Sequence, residues 1–225
     1  MTQLLLNIDA GEQVGEPEEL FALAHVVSIA CGGHAGDATS IDRALVAASK
    51  GGSAVGAHPS FVDREGFGRR TLTVTPADLR HDVREQVALL VACATRAGLG
   101  VLYVKPHGAL YHAADRISSL AVALLEGCLD ALPRFTLVGP PGGELSRAAR
   151  ERGLPFAREG FADRSVRPDG TLVPRGEPGA LILDPNAAAE RAREIARSHG
   201  YDTVCVHSDT DGAVAIARAV RAAVG

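Results

Sequence analysis

The feature that most constrains this chain is its rhythm. Short runs of β-forming apolar residues alternate, from one end to the other, with longer segments whose apolar residues recur at helical spacing. The runs are residues 4–8, 26–30, 54–57, 101–105, 135–138, 155–157 and 203–207. Helical patterns cover 18–25, 40–50, 76–98, 117–131, 144–152, 186–199 and 211–223. The clearest is 76–98. Thr75 is placed to cap it, Asp78 completes a Thr-x-x-Asp box and Pro76 takes the first helical position. Leu79, Val83, Val87, Leu90, Val91 and Ala94 then form one apolar stripe. Repeated strand-then-helix order predicts parallel strands with right-handed crossovers. The strands are short and apolar on both faces, as in a sheet covered by helices. About seven such units come close to the eight of a closed α/β barrel.

The 225 residues fill one α/β barrel or one doubly wound domain, and no linker, low-complexity tract or charge run divides them. The segment 165–180, rich in Pro, Gly and charge, reads as a long loop, so the expectation is a single domain over 1–225. A net charge of −4 gives no basic field for nucleic acid or an anionic membrane. Cys31, Cys93, Cys128 and Cys205 form no Cys-x-x-Cys pair, which fits neither a disulfide framework nor a structural zinc site and suits a reducing compartment. Met1-Thr2-Gln3 runs into Leu4 without a basic region or a long apolar stretch. No signal peptide or transmembrane helix is expected, and the expected location is cytoplasmic.

Nearly every strand run ends in ionisable or glycine-rich residues. The ends read Asn7-Ile-Asp9-Ala-Gly-Glu12, Cys31-Gly-Gly-His34-Ala-Gly-Asp37, Gly56-Ala-His58-Pro59, Lys105-Pro-His107-Gly108, Gly139-Pro-Pro-Gly-Gly143, Arg158-Glu159-Gly-Phe-Ala-Asp163-Arg164 and His207-Ser-Asp209. In a barrel these ends converge on one mouth. Each group also has a plainer role. Asp9 and Glu12 suit a helix first turn, and His34 suits a glycine turn. Cys31 suits a small core site better than a nucleophile. His58 and His107 sit beside prolines that fix their backbones, which favours a catalytic or ligand role. Lys105 ends a buried-looking strand and must meet a carboxylate or an anionic ligand. The loop 139–143 precedes a helix, as a phosphate cradle does, but it lacks the Lys-Ser/Thr of a P-loop. Arg69 and Arg70, in Gly66-Phe-Gly-Arg-Arg70, suit either an anion clamp or an ion pair with Asp63 or Glu65.

Together the motifs resemble the LamB/YcsF family. The matching stretches are Asn7-Ile-Asp-Ala-Gly-Glu12, Ile29-Ala-Cys-Gly-Gly-His-Ala-Gly-Asp37, Gly56-Ala-His-Pro-Ser60 with Gly66-Phe-Gly-Arg-Arg70, Val104-Lys-Pro-His-Gly-Ala-Leu-Tyr111, Glu159-Gly-Phe-Ala-Asp-Arg164, Leu172-Val-Pro-Arg175 and Val204-Cys-Val-His-Ser-Asp209. The resemblance implies a TIM-like, seven-stranded, distorted β/α barrel of the glycoside hydrolase/deacetylase type. It implies cleavage of 5-oxo-L-proline to L-glutamate with hydrolysis of ATP to ADP and phosphate. In that reaction the chain would be the A component of a 5-oxoprolinase, beside two partner subunits, B and C. The sequence departs from the family at Leu5, Ile8 and Ala10, at Gly33 where Phe is usual, and at Ser208 where Gly is usual. It also looks shorter than usual between Ala180 and Thr203.

Opening a lactam needs activation of the amide oxygen, which phosphorylation by ATP (with Mg) would supply, cations where charge develops, and groups that move protons. The expected catalytic residues are Asp9 and His58 or His107 for protons, with Lys105 and Glu159. Expected at the substrate are Asn7, Glu12, His34, Arg69, Arg70, Asp163, Arg164, His207 and Asp209. One alternative is a metal-dependent hydrolase or deacetylase in which Asp9 and two of His34, His58, His107 and His207 bind a transition metal. The other is a non-catalytic chain with a binding or regulatory role in a larger complex. A homo-oligomer is compatible with either.

Overall fold

The computed structural model describes residues 3–167 and 171–225; Met1, Thr2 and positions 168–170 of the 165–180 loop lie outside the described residues. The chain runs β1 (Leu5–Ala10), α1 (Glu18–Leu23), β2 (Val26–Ala30), α2 (Ala38–Gly51), β3 (Ala54–His58), α3 (Pro76–Arg96), β4 (Val101–Val104), α4 (Gly108–Arg116), α5 (Ser118–Ala131), β5 (Thr136–Gly139), α6 (Glu144–Glu151), β6 (Phe156–Phe161), α7 (Pro185–Ser198), β7 (Thr203–His207) and α8 (Ala213–Val224). The seven strands form a closed barrel in sequence order, every pair parallel. Closure comes from β1 beside β7, with Leu5 opposite Thr203 and Asp9 opposite His207. Barrel closure therefore places Asp9 and His207 side by side, although they come from opposite ends of the chain.

The core has two layers. Leu6, Ile8, Val27, Ile29, Val204 and Val206 are buried in the strands, and Ile41, Leu45, Leu79, Val83, Val87, Leu90, Leu124 and Ile216 line the helices against them. Helix α3 starts as its sequence predicts. Thr75 accepts a hydrogen bond from Asp78 N, and the stripe packs inward except for Val91, which is only half-buried. All four cysteines are free and buried. No described helix is long and apolar enough to cross a membrane.

Two elements differ from the sequence expectation. Helix α4 occupies Gly108–Arg116, a stretch to which the sequence pattern assigns no helix. Gly108 takes a left-handed φ of 53°, and a Cβ there would meet the Gly68 carbonyl oxygen at 2.6 Å. That close approach lets the chain turn from β4 straight into a helix. Strand β6 runs on to Phe161, beyond the expected 155–157, so Arg158, Glu159 and Phe161 belong to the barrel wall rather than to a loop. The 165–180 segment is a loop pinned by isolated bridges Arg164–Leu181 and Val166–Leu172.

Candidate active site

At the base of the mouth stands Lys105, the residue after β4. Its Nζ lies 2.8 Å from Asp9 Oδ1 and 2.8 Å from Glu159 Oε1, and it donates to Asn7 Oδ1 at 3.0 Å. Cys205 Sγ is 3.0 Å away. All of these groups are buried. Burial opposes the Lys105 charge, but Asp9 foremost, with Cys205 and Glu159, holds its pKa well above the ordinary value. Burial likewise opposes ionisation of Asp9, yet His58 and then Lys105 hold that carboxyl well below the usual range. An ammonium between ionised carboxylates keeps a deep site charged without leaving a lone buried charge. Asn7 is fixed from the far side by donating to Thr203 Oγ1 at 2.8 Å. Tyr111 buries its hydroxyl, and burial together with the Glu159 charge keeps that phenol neutral.

Beside this base lies a histidine cluster. His58 Nε2 is 3.4 Å from Asp9 Oδ2, and its Nδ1 donates to the Lys105 carbonyl at 2.7 Å. His107 Nδ1 is 3.0 Å from His58 Nε2, and its Nε2 donates to the Phe67 carbonyl at 3.0 Å. Glu12 Oε1 sits among the rings, 3.0 Å from His34 Nε2, 3.2 Å from His107 Nδ1 and 3.7 Å from His58 Nε2. The His34 and His107 rings stack with centroids 3.7 Å apart. Burial lowers the pKa of His34 to about 4 and also lowers that of His107. Burial pushes His58 the same way, but Asp9 outweighs it and raises His58. The loop before α3 shapes this cluster. Phe67 is a non-glycine residue at φ 53°, and a Cβ on Gly68 would lie 2.8 Å from His34 Cβ and 3.0 Å from His107 Cδ2. Two carboxylates adjoin the histidines: Asp9, whose Oδ2 is 3.4 Å from His58 Nε2 and 3.9 Å from His207 Nε2 while its Oδ1 faces Lys105, and Glu12, which stands among His34, His58 and His107.

Above the base the mouth widens into a cavity of about 790 Å³, lined by Asp9, His58, Lys105, His107 and His207 below, by Tyr111, His112 and Phe161 on the wall, and by Arg69, Arg116, Arg164, Arg167 and Arg175. Asp163, fully buried, accepts from His207 N at 3.0 Å and from Thr210 Oγ1 at 2.7 Å, and its Oδ1 is 3.0 Å from His207 Nδ1. Arg69 and Arg175 both pair with Asp209. Arg164 donates to the Val173 carbonyl at 2.6 Å, so residues 171–176 pass over the cavity. Burial, with Arg175 nearby, lowers the Arg164 pKa to about 10.

Of the residues expected at the site, Asp9, His58, Lys105, His107, Arg69, Arg164 and His207 line the cavity. Asn7, Glu12, His34, Glu159, Asp163 and Asp209 touch the lining groups from behind or beside. Arg70 does not reach it. It turns to Asp63 and Glu65, the ion-pair role of its two alternatives. Loop 139–143 is not a free anion cradle, because the Asp115 carboxylate occupies the space against Gly143. Burial raises the Cys31 thiol to about 12, which removes it as a nucleophile.

Tyr111, Phe161 and Arg175 join the site from within the family-matching stretches although they are not among the expected site residues, and Glu16, Arg116 and Arg167 join it without any sequence signal. Glu16 accepts from Gly11 N at 2.6 Å, Glu12 N at 3.0 Å and Gln13 N at 3.2 Å, and so shapes the loop that presents Glu12. Ser208, one of the departures from the family pattern, donates to that same carboxylate at 3.1 Å. At Gly33, another departure, a Cβ would meet Gln86 Oε1 at 2.3 Å and Ser60 Oγ at 2.4 Å. Gln86 instead exchanges hydrogen bonds with the Ser60 backbone, at 3.0 and 2.9 Å, and fixes the turn after His58.

Comparison with known proteins agrees with this architecture. The solved structure of a lactam utilization protein from Thermus thermophilus superposes with a TM-score of 0.90 at 37% identity, covering 98% of this chain and 95% of that one. A family 4 carbohydrate esterase from Streptomyces lividans shares the barrel at a TM-score of 0.55 and only 9% identity, over 99% and 87% of the two chains. Proteins named as the A subunit of 5-oxoprolinase, from Nocardia farcinica and Pyrococcus furiosus, are 42% and 40% identical over 96% of this chain, and the matches cover 93% and 91% of their own lengths. The LamB/YcsF family matches residues 4–225, and the chain belongs to that family.

Proposed function

We propose that the chain opens the lactam ring of 5-oxo-L-proline as the A component of an ATP-dependent 5-oxoprolinase, giving L-glutamate, ADP and phosphate with two partner subunits. The observation that carries this reading is the cavity itself. A buried Lys105–Asp9–Glu159 base lies under five arginines, in a chain with relatives of that name along nearly its whole length. A small substrate with one carboxylate and developing oxyanion or phosphoryl charge matches such a cavity.

In this reading Lys105 and Arg69 hold the anionic groups. The γ-phosphoryl group of ATP passes to the amide oxygen and ADP leaves. One water adds its oxygen to the amide carbon, the C–N bond breaks and the ring nitrogen leaves as the amine, and a second water cleaves the resulting acyl phosphate to the glutamate carboxylate and phosphate. Asp9, kept ionised, accepts the proton of the attacking water, and His58, kept charged by Asp9, returns one to the nitrogen. Glu159 and Asp163 orient Lys105 and His207, and Arg164 fastens the segment over the cavity. Asp115 covers the 139–143 loop, the glycine loop that most resembles a phosphate cradle, which supports a partner subunit as the holder of ATP. The test is glutamate release from 5-oxoproline and ATP, with and without the two partners. Activity of the mixture that disappears with His107→Ala in a folded protein supports the reading. Absence of glutamate in every combination leaves the non-catalytic binding role.

A further inference from the structure

The geometry points to a divalent transition-metal site in the histidine cluster, with Glu12, His58 and His107 as ligands and His34 as the support of Glu12. The argument is one of proton placement. His58 Nδ1 faces a backbone carbonyl at 2.7 Å, and a carbonyl only accepts, so that nitrogen carries the proton. The lone pair of the neutral ring is then on Nε2. His107 Nε2 faces the Phe67 carbonyl at 3.0 Å, so its lone pair is on Nδ1. Those two lone pairs meet at 3.0 Å. Two acceptors at that distance repel unless a proton or a metal ion stands between or beside them, and a Co²⁺ titration tells the two apart. Glu12 Oε1 adds a negative oxygen 3.2 Å from one and 3.7 Å from the other.

The spacing suits a metal ion. A tetrahedral ion with bonds of about 2.0–2.1 Å sets neighbouring ligand atoms about 3.3 Å apart, and the three separations here bracket that figure. Two imidazoles and one carboxylate, with His58 and His107 opening on the cavity, are the donor set of zinc-like ions that keep a fourth position free. A backbone carbonyl behind each ring fixes its tautomer, as the outer shell of metal sites does. The carbonyl behind His107 comes from Phe67, whose left-handed backbone is strained, and such strain persists where surrounding structure enforces it.

His34 is not a fourth ligand. Its ring lies parallel to His107, with an interplanar angle of 3°. Lone pairs lie in the ring planes, so two stacked rings cannot both aim at one ion. His34 Nε2 instead donates to Glu12 and is a positioning residue. The neighbouring group of Asp9, Cys205 and His207 carries no such site, because the Lys105 ammonium already lies against Asp9 and Cys205. An ion in the cluster takes the same His58 Nε2 lone pair that carries the proton in the lactam reading, so metal-bound and protonated His58 are alternative states of the cluster.

The inference stands without the lactam reading, and its test uses no substrate. The full chain is treated with a chelator, dialysed and titrated with Co²⁺, with visible absorption and calorimetry as readouts. One equivalent bound per chain, displaced by Zn²⁺ and accompanied by a rise in Tm, is the expected result. Glu12→Gln and His107→Gln each weaken Co²⁺ binding by at least about 10–100-fold. His34→Gln weakens it less and leaves the absorption bands in place. Lack of stoichiometric binding, or binding unchanged in both Glu12→Gln and His107→Gln, overturns the site. Where circular dichroism shows a variant misfolded, X-ray absorption of the Co²⁺-loaded wild type decides: two imidazoles around the metal support the site, and none overturns it.

Discussion

Lys105 touches two carboxylates, an amide oxygen and a thiol, and is almost completely shielded from water. Replacing it with Met keeps most of the volume but leaves Asp9 and Glu159 buried without their cation. Breaking a buried pair in this way costs about 3–5 kcal/mol. Lys105→Met is therefore expected to lower the unfolding free energy by that amount in a urea titration at pH 7, and a loss below about 1 kcal/mol would contradict the charge arrangement. Single residues of this kind are legible in the sequence, because an ionisable residue that ends an apolar run has few other places to go. Arg69 and Arg70 are not separable there, since adjacent residues diverge according to a backbone turn that only the folded loop decides. Glu16 leaves no signal at all. It works through three backbone N–H groups, and any carboxylate in a glycine-rich loop looks the same before folding.

Residues 164–181 behave as one element although they contain no helix or regular strand among the described positions. Backbone bonds Ser165 N to Ala180 O and Val173 N to Ser165 O, both 3.0 Å, fold the segment on itself. Arg164 ties it to the wall through the Val173 carbonyl. A hydrogen bond from a charged group contributes about 1.5–3 kcal/mol, so Arg164→Ala should raise the open population of this segment roughly ten- to hundredfold. Trypsin cleavage after Arg175 should accelerate by that factor while global unfolding in urea moves much less; equal cleavage rates would show that Arg164 does not hold the segment. The regular elements are largely legible, because period and caps are local: β2 and β7 fall where the pattern predicts, and α3 begins at its capping box. The exceptions share a cause. Helix α4 starts at a glycine whose backbone conformation is set by contact with Gly68, and the end of β6 carries Arg158 and Glu159, whose polarity hides a strand that points into the mouth.

For the whole molecule, alternation predicts a parallel sheet but fits an open, doubly wound sheet as well as a barrel. The contact that decides is β1 with β7, the longest-range pairing of the fold. Asp163 reinforces a neighbouring seam. From the end of β6 it accepts from the backbone and side chain at the end of β7, and from Thr210 beyond. Burial alone raises the pKa of Asp163, but His207 foremost outweighs it and holds the carboxyl below its ordinary value. In Asp9 and Glu12 burial acts the same way and is outweighed by His58 and Lys105, and by His107 and His34. The unfolded chain therefore binds protons that the folded chain does not, and stability rises with pH across this window. The contribution is complete above the ordinary carboxyl pKa of about 4 and is lost as pH falls through the depressed folded values. One carboxyl contributes at most about 1.4 kcal/mol per pH unit. Urea midpoints measured from about pH 6 down to about pH 3 should fall for the wild type, and fall less steeply for Asp163→Asn. The variant should already be weaker at the upper end of that range, because Thr210 and the His207 backbone lose a charged acceptor. Parallel pH profiles for the two proteins would mean that Asp163 titrates alike folded and unfolded, and that the seam is held by strand pairing alone.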